Sequence, residues 1–319
     1  VKWNGKIKVI KLKNGYNIKA TPDHGLFVMR DGRIGWVSAK NILPGDYIAV
    51  SYNLRGDGGK ELTLLDLLIE LGITDVMVQF DEVFDDIIAP FIRKNVKTST
   101  KYKYLRNRVV PLRLLIEWKV DIKAIENHVV ALYRQRVGTK KIPNLKLDEK
   151  FWYLFGLVLG ESKVAIVQTP LKKVKSIIRE ILPVHVFNTE SQAKFSNSLL
   201  AEVFRRLGAR NGELHPIVFA IPRKCVNAMI AGYFDTDGCF SILNDSKGPN
   251  LRAMLTSKRR DVLEKIGIYL YSIGIPVYIR DDKRTRVSYL VISNRYLERF
   301  KKEIVPFLKI RKRQFEEAY

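Results

Sequence analysis

Residues 229–240 read MIAGYFDTDGCF, an apolar run with a small-residue pair, Ala231-Gly232, that ends in two acids, Asp235 and Asp237. On its own, an Asp-x-Asp-Gly string marks a turn or a helix end. It is not the opening of a calcium loop, because Cys239 stands where the next oxygen ligand belongs and no Glu follows at the required place. A second copy changes its weight. WYLFGLVLGES, residues 152–162, repeats the pattern, with Gly156 matching Gly232 and Glu161 matching Asp237 at the same offset of 76 positions. Small residues let two helix backbones approach closely. Helices paired through Gly156 and Gly232 would bring Glu161 and Asp237 together at their C-terminal ends. Two carboxylates held that close repel, and the negative ends of two helix dipoles add to the repulsion. A divalent cation between them resolves the conflict. Hard oxygen ligands suit Mg²⁺ (or Mn²⁺), which leaves further positions for water and phosphate.

The elements that would position these acids follow from pattern. From 148 onward the chain reads as α+β, with helices at 149–160, 171–182, 198–207, 222–234 and 259–273 and a last one near 294. Strands fall near 163–169, 184–196, 238–245 and 251–256, followed by VYIRDD and VSYLVIS. LKKVKSIIREILPVHVF (171–187) parallels RDVLEKIGIYLYSIGIPVYI (260–279), and FSNSLLAEVFRRLG (195–208) parallels ISNRYLERFKKEI (292–304). Residues 148–319 therefore read as two copies of one α-β-β-α unit, 148–210 and 215–319. Residues 1–54 read as an all-β module, with Asn14-Gly15 as a hairpin signal and further turns at Asp31-Gly32 and Pro44-Gly45-Asp46. RGDGGK (55–60) is the first linker. Residues 55–147 read as a small, mainly helical module with helices at 62–72, 84–93, 103–117 and 121–135, closed by KKIPNLKL (140–147).

Composition narrows the partner. The 319 residues include 56 Lys and Arg against 33 Asp and Glu, a formal net charge of +23 with 46% hydrophobic residues. That excess points to a polyanion, with nucleic acid ahead of an anionic membrane surface. No apolar run reaches the length of a membrane span and no signal peptide is visible. The charge is uneven: residues 61–92 hold eight acids and no Lys or Arg, whereas 93–141 hold 14 Lys and Arg against three acids, interleaved with Tyr102, Tyr104, Trp118 and Tyr133. Two cysteines, Cys225 and Cys239, make neither a disulfide framework nor a zinc site. The expected compartment is reducing cytoplasm, and the heavy use of Lys, Glu and Arg fits a thermophile.

LFGLVLGES and IAGYFDTDG resemble the two motifs of the LAGLIDADG homing endonucleases in their two-repeat, single-chain form. The resemblance covers roughly 148–319, and it departs from the family pattern at Glu161 and Ser162. It implies two motif helices at a central interface and saddle-shaped antiparallel sheets along the DNA major groove. It also implies metal-dependent hydrolysis of phosphodiester bonds by a monomer, with Glu161 and Asp237 holding the metal. Asp235 is not at the ligand position and is expected to support its helix end. The family places a lysine near each site, which falls on Lys258 in the second repeat and on Thr169, or Lys172 or Lys173, in the first. Base contacts are expected from Arg252, Arg280, Lys283, Arg284 and Arg286.

GYNIKATPDHGLFVM and GWVSAKNILPGDYIAV resemble the part of an intein splicing (Hint) domain that holds its Thr-x-x-His motif, here Thr21 and His24. The chain begins at Val1 and ends QFEEAY, without the nucleophile and the His-Asn pair that splicing needs, so splicing is not expected of it. The middle module resembles the accessory DNA-recognition domains of intein-encoded endonucleases, with phosphate contacts expected from Lys101, Lys103, Arg106, Arg108, Arg134 and Arg136. The reading is an archaeal, intein-derived, site-specific homing endonuclease acting on double-stranded DNA. The alternative is the same saddle used as a DNA-binding protein or regulator that does not cut.

Overall fold

The computed structural model describes residues 5–50, 58–97, 99–134, 140–160, 166–167, 176, 178–180, 186–189, 192–195, 197–210, 213–245 and 248–319. It is a mixed α/β chain with antiparallel sheets. It divides into two compact units. The first comprises Val1–Gly56, Asp237–Pro306 and Arg311–Tyr319, and the second Asp57–Thr236 and Phe307–Ile310.

In the first unit, the strands Lys8–Lys11 and Asn17–Ala20 form the antiparallel hairpin that Asn14-Gly15 announces, in register Lys8↔Ala20 to Lys11↔Asn17. Gly15 takes φ +88°, the left-handed region that favours glycine. Strands Gly25–Arg30, Arg33–Ser38 and Tyr47–Ile48 form a three-stranded sheet, with Gly25–Arg30 in the middle. A small core of Ile10, Ala20, Val28, Ala39 and Ile42 holds this β module.

The other sheet of this unit has four strands, Gly238–Asp245, Gly248–Ser257, Tyr278–Asp282 and Val287–Ile292. They are all antiparallel, and Tyr278–Asp282 lies at one edge. Period-2 alternation buries Leu251, Ala253 and Leu255 on one face together with Ile279, Leu290 and Ile292. Helix Arg260–Ser272 packs against these strands and buries Val262, Leu263, Ile266 and Leu270. At the far end Phe240, Phe300 and Phe315 form an aromatic cluster with centroids 5.1–6.2 Å apart. The N-terminal hairpin loop meets the edge strand. The Ile279 amide donates to the Asn14 carbonyl at 2.8 Å. Arg260 donates to the Gly15 carbonyl and pairs with Asp281 at 2.5 Å. A Cβ on Gly15 would fall 1.9 Å from the Ile279 oxygen, so glycine is required there for contact as well as for conformation.

The second unit holds the middle segment and both motif helices up to Thr236. Helix Leu64–Glu70 begins with a reciprocal capping box between Thr63 and Asp66. The expected mainly helical module is corrected here. The span expected as one helix over 103–117 is helix Thr100–Asn107, strand Val109–Pro111 and helix Leu112–Glu117. The span 121–135 is one turn, Ile122–Ile125, followed by strand Val129–Arg134. These two strands flank Val76–Phe80 in a three-stranded antiparallel sheet. Arg108, in the left-handed region at φ 50°, stops the first helix, and the apolar pair Val109-Val110 is buried in the sheet. Fitting a buried pleated surface outweighs the helical spacing of the leucines.

Helix Glu149–Gly160 precedes strands Ile166–Val167, Val186–Thr189 and Gln192–Phe195 and helix Ser198–Leu207. Helix Arg223–Asp237 precedes the four-stranded sheet. The second motif helix runs three residues past the expected 234, so Asp235 and Asp237 belong to the helix itself.

Candidate functional site

The two motif helices touch backbone to backbone. A Cβ on Gly156 would fall 2.0 Å from the Met229 oxygen, and a Cβ on Gly232 would fall 2.2 Å from the Tyr153 oxygen. One turn on, a Cβ on Gly160 would fall 2.0 Å from Thr236 Oγ1. The small residues therefore sit where the sequence placed them, each opposite the partner helix. Around this seam the first helix buries nine consecutive residues, Phe151 to Leu159. The second buries Cys225 through Asp235.

Asp235 is 2% exposed. Its Oδ2 accepts the Tyr153 hydroxyl at 2.6 Å and the backbone amides of Lys309 and Ile310 at 2.7 and 3.1 Å. Burial drives the Tyr153 phenol strongly upward, with the Asp235 charge adding to it, so Tyr153 stays a hydrogen-bond donor. Asp235 thus supports its helix end, tying the second motif helix to the first and to segment 307–310. Replacing Asp235 with Ala strands one buried and two partly buried donors and should cost about 3–5 kcal/mol. Tyr153→Phe, which removes one donor and leaves the acceptor satisfied, should cost about 1 kcal/mol. Urea unfolding of both variants measures the ratio, and equal losses would remove the anchor role.

Asp237, the last residue of the helix, belongs to the first unit. It is half-buried, and burial pushes its carboxyl up to about 6 while the Arg311 guanidinium pulls the other way. The register Gly238↔Leu255, extended by one residue, sets Asp237 opposite Thr256. Lys258 lies two positions further along that strand's end and is exposed. Lys258 and Asp237 thus share one end of the sheet. Sequence reasoning missed Arg311. It is 74 positions from Asp237, and only the packing of its helix on the sheet brings it there.

A partly desolvated carboxylate suits a cation. Among the described residues, however, no group of three or more His, Cys, Asp or Glu forms a cation cage. Glu161 lies outside the described residues, as do Thr169, Lys172 and Lys173. Cys225 is buried with its thiol pushed up to about 12, which leaves it unreactive.

Of the expected DNA contacts, Arg252 and Arg280 project from the sheet face opposite the Leu251–Leu255 core row. Thr256, Tyr289 and Arg280 pair in sequence across three strands. The Arg280 guanidinium lies 5.1 Å over the Tyr289 ring, a stacked and pre-set donor. Lys283, Arg284 and Arg286 occupy the exposed turn between the last two strands, where Asp282 accepts the Arg284 amide at 2.8 Å. In the second unit, Lys101, Lys103 and Arg106 lie on a helix with no buried residue. Arg108 pairs with Asp85 at 3.1 Å and Arg134 with Asp75 at 3.0 Å, so both carry a carboxylate already. Arg136 lies outside the described residues. In the N-terminal module Thr21 and His24 close a turn, the His24 amide donating to the Thr21 carbonyl at 3.0 Å.

A family model described as a LAGLIDADG-like domain matches residues 224–305, which hold the second motif helix, the four-stranded sheet and the helix on it. A reverse gyrase of Thermococcus kodakarensis is 61% identical over 100% of this chain and 19% of its own length. A reverse gyrase of Methanocaldococcus jannaschii is 52% identical over 100% of this chain and 20% of its own length. The chain therefore spans about a fifth of the curated relatives it matches most fully. A probable translation initiation factor IF-2 of Thermococcus kodakarensis is 27% identical over 92% of this chain and 26% of its own length. Among solved structures, I-DmoI in complex with DNA and Mn matches at a TM-score of 0.38 and 19% identity, over 50% of this chain and 97% of that one.

These findings correct the functional expectation. Relatives at 61% and 52% identity across the whole chain are named reverse gyrase, an enzyme that acts on DNA. The reading as an intein-derived homing endonuclease is overturned. No helix among the described residues is long and apolar enough to cross a membrane.

Proposed function

We propose that this chain is a double-stranded-DNA-binding region of a larger DNA-acting protein, and that its Asp237 end supports metal-dependent phosphodiester hydrolysis. One observation carries the reading. A half-buried carboxylate ends a glycine-packed helix at the same end of an antiparallel sheet whose outer face presents Arg252 and Arg280. The net charge of +23 and the DNA-acting relatives support the polyanionic partner. Asp237 supplies a hard oxygen ligand for Mg²⁺ or Mn²⁺, Glu161 is proposed as a second, and water and phosphate oxygens complete the shell. Such an ion, when bound, lowers the pKa of a coordinated water and polarises the phosphate. Lys258 stabilises charge that develops at the phosphate. Arg252, Arg280 and the 283–286 turn engage the groove, while Lys101, Lys103 and Arg106 contact phosphates outside it.

The test is incubation of the purified chain with a mixed-sequence plasmid library in Mg²⁺, beside Asp237→Asn and an EDTA control. Strand scission by the parent alone is the expected result, with a loss of at least about 10²-fold in the variant. A second reading is favoured by the departures from the family pattern at Glu161 and Ser162: the region binds duplex DNA without cutting it. Salt-sensitive binding by both chains, with no scission by either, selects that reading.

A further inference from the structure

In the second unit, the strand Val76–Phe80 lies between Val109–Pro111 and Val129–Arg134 and runs antiparallel to both. Its start therefore lies beside the ends of its neighbours, with Val76 opposite Arg134 and Met77 opposite Pro111. At that end of the sheet a cleft of about 480 Å³ opens, and Thr74, Asp75, Tyr104, Arg113 and Arg134 are among the residues that line it. We propose that this cleft binds a phosphate group, held by the guanidinium groups of Arg113 and Arg134 with the Tyr104 hydroxyl as a further donor. The source of the group rests on the DNA-binding reading above: it is a phosphate of the duplex backbone.

The positive charge of the cleft is built into the fold. The Arg134 side chain is only 16% exposed. A guanidinium held largely out of water costs free energy unless acceptors and opposite charge compensate it. Here the compensation is partial. Asp75 meets Nη2 alone, at 3.0 Å, and is itself 56% exposed. The Nε atom is buried without an acceptor. Glu202, the other carboxylate that feels the Arg134 charge, is bound by Arg205 and Arg206. Arg113 is exposed, at the second position of the helix Leu112–Glu117, and pairs with none of the described residues. Asp75 is the one acid among the described residues that line the cleft, so two guanidinium groups face one carboxylate.

A phosphate answers these features together. Guanidinium forks match pairs of phosphate oxygens, and Arg113 has its whole fork to offer. The anion also supplies the charge that poorly solvated Arg134 lacks. Tyr104 brings a hydroxyl donor into the same cleft, and its ring gives a sugar or base beside the phosphate a surface to rest on. Lys101, one turn before Tyr104 on the helix Thr100–Asn107, and Lys103 extend the positive charge from the cleft along that helix.

Two quantities test the site. One is the affinity for a mixed-sequence linear duplex, measured against salt. The other is the rise in melting temperature in inorganic phosphate over chloride of equal ionic strength. Arg113→Gln should lower the slope of log affinity against log salt by about one unit and lose the phosphate response. Arg113→Lys should keep the slope and recover part of the affinity, because a point charge replaces a fork. Tyr104→Phe should weaken duplex binding about three- to tenfold in the parent and far less in the Arg113→Gln background, since both donors serve one phosphate. Lys103→Gln controls for charge alone; it should lower the slope and leave the phosphate response intact. Additive effects of Tyr104→Phe and Arg113→Gln, or a phosphate response that survives Arg113→Gln, would make Arg113 an ordinary surface charge and overturn the inference. ADP separates the sources. If ADP stabilises the parent far more than inorganic phosphate does, while Arg113→Gln binds duplex as the parent does, the cleft takes a free nucleotide and the backbone contact is overturned. A parent chain that binds no duplex, yet loses its phosphate response on Arg113→Gln, sinks the DNA-binding reading and leaves the phosphate site standing. A parent chain that responds to neither sinks both.

Discussion

Gly232→Ala is expected to lose about 3–5 kcal/mol of stability. Helix propensity alone favours alanine by about 1 kcal/mol, so the sign is set by contact. The added Cβ meets the Tyr153 carbonyl oxygen at 2.2 Å and the Leu157 amide nitrogen at 3.0 Å. Both are backbone atoms inside a helix and cannot swing aside. The helices must separate, and the side chains buried on either side of the seam lose contacts with them. Gly35→Ala is the control, since nothing lies within 4 Å of its added Cβ; it should stay within about 0.5 kcal/mol. Urea denaturation of the three chains decides the matter. A Gly232→Ala midpoint equal to that of the parent would mean that the helices are not in backbone contact.

Asp237→Asn should melt above the parent at pH 8 in EDTA, although it removes a residue placed in the site. The sign follows from linkage. Burial holds the folded carboxyl at about 6, above its unfolded value. The folded chain therefore binds more protons than the unfolded chain between roughly pH 4 and 6. Stability falls as pH rises through that window and stays low above it. Solvent screening of a half-buried group reduces the penalty to about 1–2 kcal/mol, a gain of about 2–5 °C for the variant. Below about pH 4 the gap should close, because the parent is then neutral in both states. Added Mg²⁺ should narrow it at pH 8 by stabilising only the parent. Equal melting temperatures at pH 8 would show that Asp237 is well solvated and would remove the physical reason for a cation there.

The motif helices were legible in the sequence because Gly156 and Gly232 fall at equal offsets in two similar apolar runs, and close approach leaves few other uses for a glycine in mid-helix. The strands Tyr278–Asp282 and Val287–Ile292 were legible through alternation, and the hairpin through Asn14-Gly15. The middle segment was misread. Leucines at helical spacing around 105–116 mask a strand whose partner, Val76–Phe80, lies some 30 positions earlier. Local propensity carries no record of that pairing. Asp235 could be assigned a supporting role from its place beside Asp237, but its partners come from the other motif helix and from 309–310. Arg311 had no signal beyond its position four residues before Phe315. The reverse gyrase relatives were also out of reach, because motif residues report a local fold and not the protein that carries it.

The contact between the Gly15 loop and Ile279 joins positions 264 residues apart, and it has a consequence for the order in which a ribosome delivers this chain. At about 5–20 residues per second the loop waits roughly 10–50 s for its partner strand. Most of the second unit is synthesised within that interval and can close on itself. The first unit is then completed last. Until then the edge that Ile279 will offer does not exist, and the hairpin rests on the small core it shares with the neighbouring three-stranded sheet. When the strand arrives, the waiting loop takes one of its outward backbone groups, at the place where a nascent sheet is most open to pairing with a neighbouring chain on the same message.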